Sequence, residues 1–359
     1  MEVNATFDLI VVGAGPAGSA AAMVAARRGM KVLLLEAGRF PRHKVCGEFV
    51  SSEAVDVLHY LVPDRIASLL AVPRIARARI HSHGRFVEMP VRPAAYSIPR
   101  ITLDEELWNA AQRCGVTCRF ETVREVKPSS LTFSVETTHA EYDATSVINA
   151  SGRWSRLSRR IPSNDSWIGL KAHFAAETDD AVDLYFTGGG YCGIQAVSPG
   201  VLNACALVRQ GTAKTLQDVL QSDEHLASRS RDWRPLTEVF ATAPVHLGPG
   251  SPISDGMLQV GDAAGFVDPF IGDGISLALR SGVLAGRCVG EVPADQYARI
   301  YQAAFSGIFR STGQVRRLMR MARPLRPALL QLFRAPGVAG QIFSRTRHSQ
   351  IDVLQAPIG

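Results

Sequence analysis

Phe7-Asp8-Leu9-Ile10-Val11-Val12-Gly13-Ala14-Gly15-Pro16-Ala17-Gly18 opens the chain on an apolar run that breaks into three glycines. A short run rich in β-branched residues, bounded by a turn, is the pattern of a central parallel strand buried on both faces. Ser19–Arg28 is alanine-rich and reads as a helix stopped by Gly29, and Lys31–Leu35 is a second apolar strand ending at Glu36. Each glycine has its own task. Gly13 permits the tight turn, Gly15 lets a pyrophosphate approach the backbone beside Ala17, and Gly18 lets helix and strand pack closely. The helix N-terminus then offers unpaired N–H groups to phosphate charge. Glu36, 18 residues beyond Gly18, is placed to accept from a ribose hydroxyl. A bare GxGxxG says little, but strand, glycines, helix, strand and acid in this order predict a dinucleotide-binding unit.

The same region sets a trap. Leu9–Ala26 is 18 residues without a charge, about the length of a membrane span. Gly13, Gly15, Pro16 and Gly18 interrupt it and no basic segment precedes it, so neither a span nor a signal peptide is expected. The chain has 359 residues, 46% apolar and 20% charged, which excludes wholesale disorder and fibrous repeats and predicts two or three globular domains. Six cysteines (46, 114, 118, 192, 205, 288) make no disulfide framework. Cys114 and Cys118 lack a second ligand pair, so no metal is expected and the thiols read as free in a reducing cytoplasm.

A second site decides which dinucleotide. Met257–Val260 reads as a strand running into Gly261-Asp262-Ala263-Ala264-Gly265, then Asp268-Pro269-Phe270-Ile271-Gly272-Asp273-Gly274-Ile275. Asp262 is suited to a ribityl hydroxyl. Pro269, Gly272 and Gly274 shape a loop that lets the backbone pass close to a flat ring. A helix beginning at Gly274-Ile275 aims its positive end at that ring, which favours negative charge on a reduced flavin.

These two blocks resemble the FAD-dependent oxidoreductases of the p-hydroxybenzoate hydroxylase fold, and within them the geranylgeranyl-reductase-like branch. Further matches are Arg39-Phe40-Pro41-Arg42-His43-Lys44-Val45-Cys46-Gly47-Glu48, Arg100 followed by Asp104 and Leu107, and Ala150-Ser151-Gly152-Arg153-Trp154-Ser155. The resemblance covers about residues 1–300. It implies that Arg42 and Arg100 contact FAD, that the backbone near Val123 meets the adenine, and that Cys46-Gly47 lies beside the isoalloxazine. There Cys46 is a candidate catalytic thiol or a small packing residue. The implied fold class is α/β with mixed α+β character: a Rossmann-like FAD-binding domain (1–75, 100–160 and 250–300), an inserted antiparallel substrate sheet (76–99 and 161–249), and a basic helical C-terminal region (301–359).

Departures from the family pattern bear on the reaction. Aromatic hydroxylases of this fold usually carry Asp-Gly where this chain has Ser151-Gly152, and no second GxGxxG unit lies between 150 and 250. Electrons are therefore expected from transiently docked NAD(P)H or from a separate flavin reductase. Prenyl reductases usually show Tyr-x-Trp-x-Phe-Pro, where this chain reads Tyr191-Cys192-Gly193-Ile194-Gln195-Ala196. The Trp-x-Trp-x-Ile-Pro motif of tryptophan-type halogenases is absent; Trp167-Ile168-Gly169 does not supply it. The altered sheet motif tilts the expectation toward a monooxygenase. Reduced FAD and O₂ would form a hydroperoxide that hydroxylates or epoxidises an apolar aromatic, polyketide- or terpenoid-like molecule. Reduction or desaturation of a prenyl or alkene double bond is the alternative. A non-enzymatic prenyl-protein escort of the same fold is opposed by the intact glycines, Glu36 and Asp262.

Between the cofactor blocks, Arg77–Ile80, Gly84–Met89, Gly169–Phe174, Val182–Phe186, Cys192–Val197 and Asn203–Val208 alternate as strands do. Their cofactor side should line an apolar pocket with a few placed polar groups, for which Lys171, His173, Tyr191 and Gln195 are the candidates. Lys171 and His173 share a strand face that could equally be solvated, Tyr191 could be a packing residue, and His81-Ser82-His83 reads as surface histidines. From 306 to 347 there are nine arginines and no acid, so removing them takes the net charge from +6 to −3. Val315, Leu318, Met319 and Ala322 against Arg316, Arg317, Arg320 and Arg323 fit a basic amphipathic helix. Such a segment is either an ordinary docked helix, a peripheral contact with the inner membrane face, or a carrier-protein dock. No nucleic-acid motif accompanies it.

Overall fold

The computed structural model describes residues 6–82, 84–154, 157, 166–187, 189–319 and 352–355. The opening motif folds as its residues require: β1 (Thr6–Val12) runs into α1 (Pro16–Arg27), which returns to β2 (Val32–Leu35). β1 pairs in parallel with β2 on one side and with β9 (Glu141–Asn149) on the other. The sheet continues in the spatial order β17 (Ile253–Ser254), β18 (Met257–Gln259), β9, β1, β2 and β6 (Thr117–Arg119). β7 (Val123–Pro128) and β8 (Phe133–Thr137) form an antiparallel flap on β9. Chain segments more than 200 residues apart thus build one parallel core.

Two helices cross closely over this sheet. α7 (Gly274–Cys288) lies against α1, and a Cβ at Gly282 would stand 2.1 Å from the Ala17 carbonyl oxygen. At Gly286 it would stand 2.6 Å from that of Ala21. The alanines of α1 meet the glycines of α7 because only such residues let two helix backbones come this near. The remaining helices are α2 (Ser52–Leu61), α3 (Ile66–Leu69), α4 (Arg100–Arg113), α5 (Leu216–Leu220), α6 (Glu224–Arg229) and α8 (Ala294–Met319).

The second sheet has the order β14 (Arg234–Pro235), β10 (Trp167–Ala175), β13 (Val201–Arg209), β12 (Gly190–Ser198), β11 (Ala181–Phe186), β4 (Arg74–Ser82), β5 (Arg85–Ser97) and β3 (Phe49–Val50). β15 (Phe240–Val245) also pairs with β10, and β16 (Gly248–Pro249) with β19 (Gly265–Phe266) makes a small ribbon. The expected antiparallel sheet is mixed, because β11 and β4 pair in parallel. Phe49–Val50, within the stretch read as cofactor domain, is an edge strand of this sheet. One face buries Leu170, Ala172, Tyr185, Ile194 and Ala204 against α5 and α6. The other turns Ile80, Val87, Leu184, Tyr191 and Leu207 toward Phe49 of β3 and toward Phe266 and Phe270, which follow β18 in the chain.

Candidate active site

The glycine loop matches the requirements of a pyrophosphate cradle. Gly13 has φ +101°, and a Cβ there would lie 2.5 Å from the Ala150 carbonyl oxygen; at Gly18 it would lie 1.8 Å from that of Gly13. At Gly15 only the Arg100 guanidinium comes as near as 4.0 Å, and at Gly47 and Gly274 nothing does. Two glycines are thus demanded by the protein itself, while three leave open backbone where an extended cofactor would lie. Glu36 is buried at the end of β2 and accepts from the Ala14 N–H (2.9 Å) and the Gly38 N–H (3.1 Å), with Arg42 at 2.8 Å. Val123 stands at the start of β7, beyond the chain from Arg119, whose carbonyl accepts from the Glu36 N–H (3.0 Å).

Arg100, at the start of α4, donates twice to Asp104 at 2.7 Å. Burial opposes its charge, but the fully buried Asp104 carboxylate outweighs it and raises the pKa, with the Cys46 sulfur also in reach. Arg153 lies 3.5 Å from the Asp262 carboxylate and 3.9 Å over the Phe266 ring, joining the middle motif to the Gly261-Asp262 block. Gly261 (φ +56°) and Gly272 (φ +78°) adopt left-handed conformations that favour glycine, with Pro269 opening a one-turn 3₁₀ helix between them. Ile275 is buried in the first turn of α7.

The substrate candidates are brought together by register. Lys171 and His173 on β10 stand opposite Cys205 and Asn203 on β13, which stand opposite Gly193 and Gln195 on β12. Neither Lys171 nor His173 is solvated. Lys171 Nζ donates to Glu48 Oε1 at 2.5 Å, and His173 Nε2 meets Glu48 Oε2 at 2.9 Å. Glu48 and Lys171 are both 0% exposed. The solvated-face alternative fails because pairing across the sheet-to-loop boundary replaces the water each charge would lose. The Glu48 carboxylate also accepts from the Arg100 N–H (2.9 Å). Burial alone would raise its pKa, but the His173 hydrogen bond and the Lys171 charge outweigh that and hold it below the ordinary value.

Glu48 is the residue that sequence reasoning missed. It stands in the Cys46-Gly47-Glu48 motif, and its role is illegible there because its partners lie 123 and 125 residues further along the chain. Its φ of 62° is uncommon for a residue with a side chain. The Glu48 N–H also donates to Cys46 Sγ at 3.3 Å. His43 stacks on Phe240 and meets His173 edge-on, and burial followed by the Lys171 and His173 charges lowers its pKa.

Tyr191 is buried, with its hydroxyl 3.5 Å from Asp268 and its ring against Phe270. Gln195 donates to Ser97 Oγ at 2.6 Å, and Asn203 Nδ2 donates to the Cys46 carbonyl at 3.0 Å. His81 corrects the surface expectation. It is buried on the opposite face, stacked on Tyr185 at 4.1 Å and 2.6 Å from Asp183. His83, Ser155 and Gly188 lie outside the described residues, as does the tail from Arg320 to Ile351; α8 reaches Met319. Among the described residues no group of three or more His, Cys, Asp or Glu could hold a metal ion, and no helix is long and apolar enough to cross a membrane.

The profile of the family described as pyridine nucleotide-disulphide oxidoreductase matches residues 7–198. Menaquinone reductase of Mycobacterium tuberculosis is 28% identical, over 85% of this chain and 84% of its own. Conditioned medium factor receptor 1 of Dictyostelium discoideum is 29% identical over 78% of this chain, which spans only 62% of that protein's length. Two solved structures share the fold. A geranylgeranyl bacteriochlorophyll reductase-like protein from Thermoplasma acidophilum has a TM-score of 0.79 at 20% identity, covering 98% of both chains. A flavin-dependent brominase has a TM-score of 0.78 at 18% identity, covering 95% and 93%.

Proposed function

This chain belongs to the pyridine nucleotide-disulphide oxidoreductase family, and from that membership we propose that it is a monooxygenase acting on an oxygenated ring that carries an apolar tail. It is an FAD-dependent oxidoreductase, similar to geranylgeranyl reductases and flavin halogenases. One observation carries the substrate class, while the choice of monooxygenase rests on Gly193 standing where prenyl reductases usually carry the sheet tryptophan. The sheet face toward the cofactor loops is apolar at Ile80, Val87, Leu184 and Leu207 but polar at Lys171, His173, Asn203 and Gln195. Lys171, His173 and Gln195 are already paired within the protein, but the buried Asn203 amide oxygen has no partner among the described residues, and a bare hydrocarbon chain would leave it unpaired at a cost in free energy. An oxygenated ring joined to a tail suits both halves.

When bound and reduced, FAD supplies two electrons, to O₂ with NAD(P)H or a flavin reductase as their source. The protein's part is positional. Gly15 would admit the pyrophosphate while Gly13 and Gly18 hold the turn around it, Glu36 and Arg42 would take the adenosine end, and Arg100 and Asp262 would flank the path to the ring. The 15-residue helix α7 directs its N-terminal N–H groups at the loop before it, where they favour negative charge. Glu48 fixes Lys171 and His173, and the apolar half of the face excludes water. Reduction of a double bond is the second reading, favoured by the likeness to menaquinone reductase.

The test is to photoreduce the FAD-loaded enzyme under nitrogen with 4-octylphenol, admit ¹⁸O₂, and examine products by mass. Incorporation of one ¹⁸O atom is the expected result. A product heavier by two hydrogens, formed from geranylgeraniol under nitrogen while 4-octylphenol stays unchanged in ¹⁸O₂, would establish the second reading. A peripheral contact of residues 306–347 with anionic lipid belongs to the same proposal, since it would bring the enzyme to where molecules with apolar tails reside.

A further inference from the structure

Three helices of the cofactor domain end at one place, and a fourth begins there. α1 closes on Arg27 and Arg28, α2 on Tyr60 and Leu61, α7 on Arg287 and Cys288, and α8 starts at Ala294. Together they border a cleft of about 670 Å³ whose walls carry Arg27, Arg28, Tyr60, Arg287, Glu291 and Gln296. α1 is 12 residues long, so the cleft lies roughly 18 Å from the glycine loop at the other end of that helix. Helix ends expose carbonyls, and the arginines satisfy them. Arg27 donates to the Tyr60 and Leu61 carbonyls (2.9 and 2.6 Å), Arg28 to those of Gly286 and Val289 (2.7 and 2.9 Å), and Arg287 to that of Val353 (2.6 Å). Capping accounts for these bonds but not for the charge. Three arginines line the cleft against one carboxylate, Glu291, and that one is paired with Arg28. Arg27 is exposed and meets no carboxylate among the described residues; its guanidinium stands 5.3 Å from the Tyr60 ring centroid.

A guanidinium has five N–H donors. Arg27 spends two of them, and Arg28 spends three, one on Glu291. The carbonyls fix both planar groups, so the unspent donors are held in place rather than swinging in water. α8 is 26 residues long and has Gln296 in its first turn, which brings the positive end of its dipole to the same cleft. We infer that this cleft is an anion site taking a phosphate group, which the forked donors of Arg27 and Arg28 match in charge and geometry. The volume suits a phosphate borne on a larger body, with Tyr60, 41% exposed, as the apolar wall beside it. Two sources share this chemistry, a soluble phosphate ester and the headgroup of an anionic lipid. The acid-free stretch 306–347 runs out just before Val353, whose carbonyl Arg287 holds, so a lipid surface would engage both. The site does not depend on which reaction the flavin performs.

The experiment titrates glycerol 3-phosphate into the FAD-loaded enzyme, whose pyrophosphate cradle is then filled, and follows binding by calorimetry. Wild type is expected to bind it, and Arg27→Gln/Arg28→Gln to bind at least about tenfold more weakly, the worth of one good hydrogen bond to a charge. Arg27→Lys/Arg28→Lys keeps the charge and should recover part of the loss. Because both arginines also cap helices, Gln296→Glu is the second probe: it leaves every capping bond in place, adds a negative charge to the cleft, and should weaken binding about threefold or more. FAD content and melting temperature of each variant report its folding. A wild type that does not bind glycerol 3-phosphate, or equal binding by wild type, Arg27→Gln/Arg28→Gln and Gln296→Glu, would overturn the site. Pelleting with vesicles of phosphatidic acid in phosphatidylcholine then identifies the source. A loss in Arg27→Gln/Arg28→Gln beyond that of Arg124→Gln/Lys127→Gln, which removes two charges from β7, assigns the lipid headgroup. Equal pelleting by those two double variants, with glycerol 3-phosphate binding lost only in the first, assigns a soluble ester.

Discussion

Lys171 and Glu48 set the most demanding condition on single side chains in this protein. Their opposite charges cancel only while both are present, so Lys171→Met should destabilise by roughly 3–5 kcal/mol, the cost of a buried charge left alone. Replacing both with apolar residues should recover much of that, and urea denaturation of the single and double variants measures it. Asp183 poses the same question on the other face. Burial would raise its pKa, but the His81 hydrogen bond and the Arg229 guanidinium outweigh it and hold the carboxyl below the ordinary aspartate value. A carboxyl depressed by folding contributes stability that is complete above its unfolded value and lost as pH falls through the folded one. Wild type should therefore lose melting temperature as the pH falls below the ordinary aspartate range, about 3.9. Asp183→Asn should start lower at neutral pH and fall less steeply in acid, and a curve parallel to wild type would contradict this.

Between elements, the contact that decides most is α1 against α7. A Cβ at Gly282 overlaps a backbone oxygen that cannot swing aside. Gly282→Val should then cost at least about 1–3 kcal/mol and weaken FAD retention, whereas Gly193→Ala should do neither; thermal melts with bound-flavin absorbance separate the two. The cofactor unit was legible in the sequence because glycines, strand runs and the terminal acid act locally. So were the strands of the second sheet, since alternation is a property of neighbouring residues. What could not be read was anything set by register. Glu48 meets partners 123 and 125 residues away, and nothing near residue 48 says which strand will pass above it. The parallel pairing of β4 with β11 and the burial of His81 escaped for the same reason.

On the scale of the whole molecule, the charge is distributed rather than general. Nine of the 39 basic residues sit in the acid-free stretch 306–347, and without them the remainder is −3. An acidic body with a basic end should pellet with anionic but not neutral vesicles at low salt, and high salt should release it, since such attraction is screened within about 10 Å at 0.1 M. Complete recovery in the supernatant with anionic vesicles would dismiss the contact. The long-range construction has a consequence for synthesis. α1 emerges from the ribosome early, while the glycines of α7 that cover its alanine face follow some 260 residues later. At about 5–20 residues per second, that face waits roughly 10–50 s for its partner. Newborn chains of this enzyme should therefore depend on chaperones until α7 is translated, and chains truncated before residue 274 should collect in inclusion bodies.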